Sequence, residues 1–331
     1  MTGAFRCYRI HQDGPGRVRA GFEHIALEAL DAGDVVIDNR YASVNYKDAL
    51  AATGRGPIIR RFPCIGGIDA AGVVLSSADP RFSPGDEVVA HGHALGVSRD
   101  GGWCERVSAP AGCVTKLPTG LSLLEAITIG VAGYTAALAL DLMESFGLAP
   151  SQGKVLVNGA TGGVSSIVID LLAQRGYHVV AVTSKIAEAD WLRGIGAAEV
   201  LAAQDLKMGD RPLESALWAG AVDSLGGEPL AWLTRTMQRD GVIASIGNAA
   251  GVELRTTVMP FILRGVRLVG VNSDNPPETT ARLWSRLASD LRPRHVQAIA
   301  RVHAFDDLPD AIEQVIQGRG RGRAVIRLPG A

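Results

Sequence analysis

Two contrasting local patterns predict an α/β chain built from an irregular, β-rich part and a doubly wound parallel sheet. The first third carries short β-type runs separated by turn residues. From about Leu121 the pattern becomes helical and then alternates strand with helix, the order that builds a parallel sheet. A third observation is Lys154 to Lys185, which reads as one βαβ unit wrapped around a phosphate-sized turn.

The strands expected in the first part include Asp34 to Asn39, Ala70 to Leu75 and Glu87 to Ala90. Ser83-Pro84-Gly85-Asp86 precedes the last of these, and such a turn joins an irregular, mostly antiparallel domain. Helices are predicted at Leu124 to Gly130 and Tyr134 to Met143. Val155, Leu156 and Val157 then form a short buried strand. Gly159, Gly162 and Gly163 permit a tight turn and a close approach of backbone to an anion, while Ile167, Val168, Leu171 and Leu172 repeat at helical spacing. Gly176 turns the chain into a second strand, His178 to Val182. Further strands are read at Ile243 to Gly247 and Val266 to Val271. The tail gives a strand (Arg301 to Phe305), a helix (Leu308 to Gln317) and a strand (Arg323 to Leu328), and its pattern alone could complete either part.

A dinucleotide is the ligand that this βαβ unit predicts. A preference for NAD is usually written as Asp or Glu at the end of the second strand, where it binds the ribose diol. Thr183-Ser184-Lys185 stands there instead. Two hydroxyls and an ammonium suit a 2′-phosphate, so the expected cofactor is NADPH.

Composition narrows the remaining classes. The 33 Lys and Arg nearly balance the 34 Asp and Glu across 331 residues, leaving no basic field for nucleic acid or anionic lipid, so the expected partner is a small molecule. Apolar runs are broken by charge and glycine well short of the roughly 18 residues that span a bilayer, and Met1 to Ile10 has no signal-like apolar region; the expected location is cytoplasmic. Cys7, Cys64, Cys104 and Cys113 lack Cys-x-x-Cys spacing, against a structural zinc or a secreted disulfide framework. Forty glycines without a period mark turns.

Several segments carry a resemblance. They are Ser43-Val44-Asn45-Tyr46-Lys47-Asp48-Ala49-Leu50, Phe62-Pro63 with Gly67-Ile68-Asp69-Ala70-Ala71-Gly72, Asp79-Pro80-Arg81-Phe82, Gly101-Gly102-Trp103, Gly159 to Val164, Arg211-Pro212-Leu213, Trp218-Ala219-Gly220 and Thr256 to Arg264. Together they resemble the zinc-free medium-chain dehydrogenase/reductase superfamily, and within it the NADPH-dependent acrylyl-CoA reductase branch, also labelled quinone oxidoreductase. The resemblance runs from about Tyr41 to the C-terminus. It implies a GroES-like catalytic domain split between residues 1–127 and 295–331, a Rossmann NADPH-binding domain over 128–294, and an active site in the cleft between them. It also implies reduction of the C=C bond of acrylyl-CoA to propionyl-CoA. The alternatives are an NADPH:quinone or general enone reductase, or a nucleotide-binding protein without turnover.

Residue by residue, the resemblance matches Tyr46 to a cofactor-contacting tyrosine, Thr161, Gly162, Gly163 and Val164 to the phosphate turn, and Thr183, Ser184 and Lys185 to the 2′-phosphate group. Ser224, Leu268 and Ser273 fall at further cofactor positions, and Arg323 at a tail arginine that reaches the cleft. Asn45 and Tyr46 are the candidate catalytic polar groups, against the plainer reading of this segment as a helix cap. Arg60, Arg61 and Arg264 are candidate contacts for the phosphates of a CoA substrate. Two departures stand out. Ser165 replaces the third glycine of the turn, with slight displacement expected, and Gly66 replaces a proline and is expected to loosen the backbone near Asp69. His91-Gly92-His93 lacks the three-ligand pattern of catalytic zinc, so no metal is expected. The apolar strand Val266 to Val271, if terminal in its sheet, would be protected by pairing with its symmetry mate, which predicts a homodimer.

Overall fold

The computed structural model describes residues 3–14, 16–92 and 94–331. These form two compact units: residues 1–132, 274–290 and 300–331 in the first, and 133–273 with 291–299 in the second.

The first unit is the β-rich part. Its larger sheet has the order Ala300–Ala304, Arg323–Arg327, Val35–Val44, Asp69–Ser77, Glu87–His91, Val114–Lys116, and Arg106–Ala109 also pairs with Val35–Val44. Every pairing in it is antiparallel except that of Ala300–Ala304 with Arg323–Arg327. The register of that last strand, with Val325 opposite Ser43, assigns the tail to this unit and leaves no choice between the two parts. A smaller sheet pairs Phe5–Gly14 with Arg17–Ile25 and with Cys64–Ile65. Its core packs Tyr8 edge-on to Trp103 and gathers Ile10, Ile65, Leu308, Ile312 and Ile326.

Two expectations need correction here. The segment Asp274–Asp290, read as part of the 128–294 interval, belongs to the first unit. Its helix Pro277–Leu287 buries Leu283, Trp284 and Leu287, and the Trp284 indole donates to His91 Nε2 at 2.9 Å. Gly66 does not loosen the chain. A Cβ there would lie 2.4 Å from the Trp103 ring, and the Gly66 carbonyl accepts the Trp103 N–H at 2.9 Å, so the glycine permits close packing.

The second unit is a parallel sheet in the order Glu199–Ala202, His178–Thr183, Lys154–Val157, Trp218–Asp223, Met237–Ser245, Arg267–Gly270. The order reverses between Lys154–Val157 and Trp218–Asp223. In open α/β sheets the crevice beyond the carboxyl ends at such a point is where ligands bind.

The two helices expected around Gly130 are present within Leu123–Ser145, separated by a kink at Gly130 (φ 49, ψ −156). This segment corrects the expectation about apolar runs. By length and composition it could cross a membrane, but 83% of its apolar window is buried inside the fold, where it serves as a core helix.

Candidate functional site

The Val35–Val44 strand leads directly into the Tyr46–Thr53 helix, and Asn45 is the N-cap between them. Asp48, at the third helical position, accepts the Asn45 backbone N–H at 2.8 Å, which satisfies a donor that the helix would otherwise leave open. It also accepts Asn45 Nδ2 at 2.9 Å and the Ile68 N–H at 3.0 Å. Asn45 Nδ2 reaches Ser43 Oγ at 3.2 Å, while Asn45 Oδ1 accepts from Arg323 Nη1 at 2.7 Å. Both amide hydrogens of Asn45 are thereby engaged within the protein. The geometry therefore makes Asn45 a cap that orients its neighbours and leaves only one Oδ1 lone pair for any outside group. Tyr46 is different: it is 40% exposed at the first helical position.

Beneath this turn lies a buried polar cluster. Ser43 Oγ donates to Asp69 Oδ1 at 2.5 Å. Arg323 donates through Nε to the Thr128 carbonyl at 3.0 Å, and through Nη2 to Ser43 Oγ at 2.7 Å and Asp69 Oδ2 at 3.4 Å. Arg323 is only 2% exposed, and burial lowers its pKa. Two buried carboxylates share this one guanidinium. Burial, and then the charge of Asp69, push the Asp48 carboxyl up to about 7 against the hydrogen bonds that favour its ionised form. Ser43, Asp48 and Asp69 were absent from the sequence-based site. Their signal was present in Asn-Tyr-Lys-Asp and Gly-Ile-Asp, but only the register of the tail strand shows that they share one cluster.

In the second unit the glycine turn has the predicted form. Gly159 has φ +53, and a Cβ there would lie 2.3 Å from Ser224 Oγ, so the turn closes only around glycine. Gly162 caps the Gly163–Gln174 helix and is exposed, Gly163 and Val164 are half-buried, and Thr161 is buried. The first-turn N–H groups of this helix stand beside the switch point, an arrangement that fits a pyrophosphate. Ser165 is accommodated by a hydrogen bond from its hydroxyl to the Asn158 carbonyl at 2.9 Å. Ser224 points the same way, its Oγ 3.1 Å from that carbonyl and its N–H donating to Asn158 Oδ1 at 2.7 Å. Asn158 Nδ2 donates to Asp223, so a side-chain pair missed in the sequence ties the two switch-point strands together. Thr183 is buried, with Oγ1 accepting the Lys185 N–H at 2.9 Å, and Ser184 is exposed. Partial burial lowers the pKa of the Lys185 ammonium, with Glu188 acting in the opposite sense. These residues fit a phosphorylated dinucleotide: a backbone anion cradle, then hydroxyls and a cation at the neighbouring strand end.

The other candidates are scattered. Leu268 packs on the core from the edge strand, opposite Ile243, and Ser273 is half-buried beyond the end of that strand. Arg264 donates to the carbonyls of Arg235, Met237 and Glu214, so its guanidinium braces the backbone of the second unit and is not offered to a substrate. Arg61 pairs with Asp31 at 2.5 Å, while Arg60 is exposed. His91 Nε2 is engaged by Trp284, and His93 lies outside the described residues. All four cysteines are free and buried, and burial pushes the Cys64 and Cys113 thiols up to about 12.

Comparisons with known proteins agree with this geometry. Residues 31–119 match the model of the alcohol dehydrogenase GroES-like domain. YhfP of Bacillus subtilis, which carries a quinone oxidoreductase name, is 45% identical over 307 residues, covering 92% of this chain and 93% of its own. Its crystal structure with NAD bound has a TM-score of 0.93 at 42% identity, covering 98% of this chain and 100% of that one. The acrylyl-CoA reductase AcuI of Ruegeria pomeroyi is 39% identical over 313 residues, 94% of this chain and 95% of its own. The YhdH oxidoreductase of Salmonella enterica, crystallised with NADP, has a TM-score of 0.93 at 41% identity, covering 97% of this chain and 99% of that one.

Proposed function

The chain belongs to the medium-chain dehydrogenase/reductase superfamily as an NADP-dependent oxidoreductase, and from that premise we propose that it reduces the C=C bond of a short α,β-unsaturated acyl-CoA thioester, acrylyl-CoA first. The observation that carries the cofactor is the end of the His178–Thr183 strand, where Thr183, Ser184 and Lys185 follow without a carboxylate beside the glycine turn. When bound, NADPH would supply a hydride for the β-carbon, and a proton taken up at the α-carbon, from water or a positioned side chain, completes the saturated thioester. The chain's own work is to hold anions and to meet the charge that develops on the thioester oxygen.

Gly162, Gly163 and Val164 present backbone donors to the pyrophosphate, and Lys185 adds a point charge for the 2′-phosphate. Tyr46 supplies the accessible hydroxyl, and Asn45 holds the turn that carries it. A donor prefixed where negative charge appears lowers the barrier without reorganising at the moment of reaction. The acyl-CoA assignment is supported by similarity to AcuI along nearly the whole chain. Exposed Arg60 is the remaining cationic candidate for the CoA phosphates. The second reading, an NADPH:quinone or enone reductase, is favoured by the name of YhfP at 45% identity. The chain works as a homodimer through the edge strand Arg267–Gly270. The deciding experiment follows NADPH absorbance with acrylyl-CoA, crotonyl-CoA and a simple quinone. Fastest turnover of acrylyl-CoA supports the proposal, whereas a quinone preferred tenfold or more transfers the assignment to the second reading.

A further inference from the structure

The break in the Leu123–Ser145 helix is occupied on its two lips by the side chains of Arg323 and Asp69, and the first of these also reaches Asn45. Where Gly130 leaves the helical conformation, the Thr128 carbonyl receives Arg323 Nε at 3.0 Å and the Val131 N–H donates to Asp69 Oδ2 at 3.2 Å. A guanidinium and a carboxylate thus stand in for hydrogen bonds that the helix gives up. There is no room for anything else: a Cβ on Gly130 would lie 2.6 Å from Asp69 Oδ2 and 2.9 Å from Arg323 Nη2.

The same guanidinium dictates the orientation of the Asn45 amide. Arginine can only donate, so the Asn45 atom that meets Nη1 at 2.7 Å must be the oxygen. The amide nitrogen is then turned toward Ser43 and Asp48, which accept from it. Arg323, at 2% exposure, has spent Nε, Nη1 and Nη2 on four internal acceptors. A side chain so committed has little left for a cofactor phosphate.

We propose that Arg323 and Asp69 are positioning residues which, wedged in the helix break at Gly130, lock the Asn45–Tyr46 turn in its working geometry. This replaces the expectation that Arg323 contacts the cofactor. It rests on the reading of Tyr46 as a site residue, and its test includes measurements that do not depend on turnover. Lysine at position 323 keeps the charge but, as a single ammonium on a flexible stem, cannot serve Thr128, Asn45 and Ser43 together.

The experiment compares wild type with Arg323→Lys and Gly130→Ala. It measures hydrogen exchange of the amides in the Tyr46–Thr53 helix, the NADPH dissociation constant by fluorescence titration, and kcat at saturating NADPH. Both variants should raise exchange in that helix by roughly tenfold or more and lower kcat by roughly tenfold, with the dissociation constant changed by less than about threefold. The Gly130 variant matters because it disturbs the wedge while leaving the Arg323 and Asp69 side chains themselves unchanged. If Arg323→Lys does not fold, Gly130→Ala carries the same expected outcomes. NADPH binding weakened about tenfold by Arg323→Lys, with exchange and kcat unchanged, would make Arg323 a cofactor contact and overturn the proposal. Unchanged exchange in both variants would overturn it as well. Should wild type reduce neither thioester nor quinone, the functional reading fails, while the exchange data still decide the positioning role.

Discussion

Asp48 is a buried carboxyl held far from its ordinary behaviour. Its carboxyl is raised from 3.8 to about 7 by burial and by Asp69, so the folded protein holds this proton more tightly than the unfolded chain does. The stability linked to it is present in full below pH about 4 and is lost as pH rises through about 7. A shift of about three units corresponds to at most about 4 kcal/mol, and coupling to Asp69 and Arg323 makes the effect on the order of 2 to 4 kcal/mol. Urea unfolding at pH 5 and pH 8 should show a loss for wild type that is smaller in Asp48→Asn by roughly 2 kcal/mol, the part of the effect that falls between pH 5 and about 7. Parallel pH dependence in the two proteins would remove Asp48 from the account. Lys185 gives a second prediction at this scale. A charge-assisted hydrogen bond contributes about 1.5 to 3 kcal/mol, so Lys185→Ala should weaken NADPH by roughly tenfold or more and leave NADH almost unchanged. Equal weakening of both cofactors would falsify the 2′-phosphate role. The place of Thr183, Ser184 and Lys185 at a strand end was legible in the sequence because it depends on local pattern alone. Asp48, Asp69 and Ser43 were not, because their partner Arg323 is hundreds of residues away and joins them only through sheet register.

At the scale of elements, periodicity found most strands and helices, and the exceptions have physical causes. Gly130 reads as a boundary between two helices because glycine interrupts an apolar pattern, and the chain does kink there, but that Arg323 and Asp69 fill the break required side chains from two other strands. The tail pattern could not choose its unit, since a parallel neighbour and an antiparallel neighbour call for the same alternation in Arg323–Arg327. The Arg267–Gly270 strand is the element with an open consequence. It ends the parallel sheet and pairs only with Met237–Ser245 among the described residues. Nearby in sequence, Val258 and Ile262 are 66% and 68% exposed. An edge with adjoining apolar residues invites pairing with a second copy. Leu268 is a poor probe because it also packs on the core. Ile262→Asp should therefore convert a dimer to a monomer in solution scattering at micromolar concentration, with little change in melting temperature. A wild-type monomer at that concentration would end the dimer proposal.

For the whole molecule, the net charge of −1 from 33 basic and 34 acidic residues leaves no long-range field to collect the anionic CoA thioester proposed as substrate. Recognition must then come from local contacts, which can orient the reacting carbon as well as bind the nucleotide end. Binding energy gathered at a remote group is useful to catalysis only if it is expressed in the transition state, and removing that group then lowers kcat along with kcat/KM. A thioester of acrylate on N-acetylcysteamine keeps the reacting atoms and lacks every phosphate. It should be reduced with kcat/KM lower by roughly a hundredfold or more than acrylyl-CoA, with kcat falling too. Free acrylate should be worse still, because it lacks the thioester as well. Crotonyl-CoA keeps all remote contacts and adds one β-methyl, so its deficit reports crowding at the pocket together with the lower electrophilicity of the substituted β-carbon. Raising ionic strength should change kcat/KM for acrylyl-CoA by only a few-fold, as expected for contacts that act at short range and without steering. If the truncated thioester matched acrylyl-CoA in kcat/KM, the CoA moiety would have no role in catalysis, and the quinone or enone reading would become the better description of this chain.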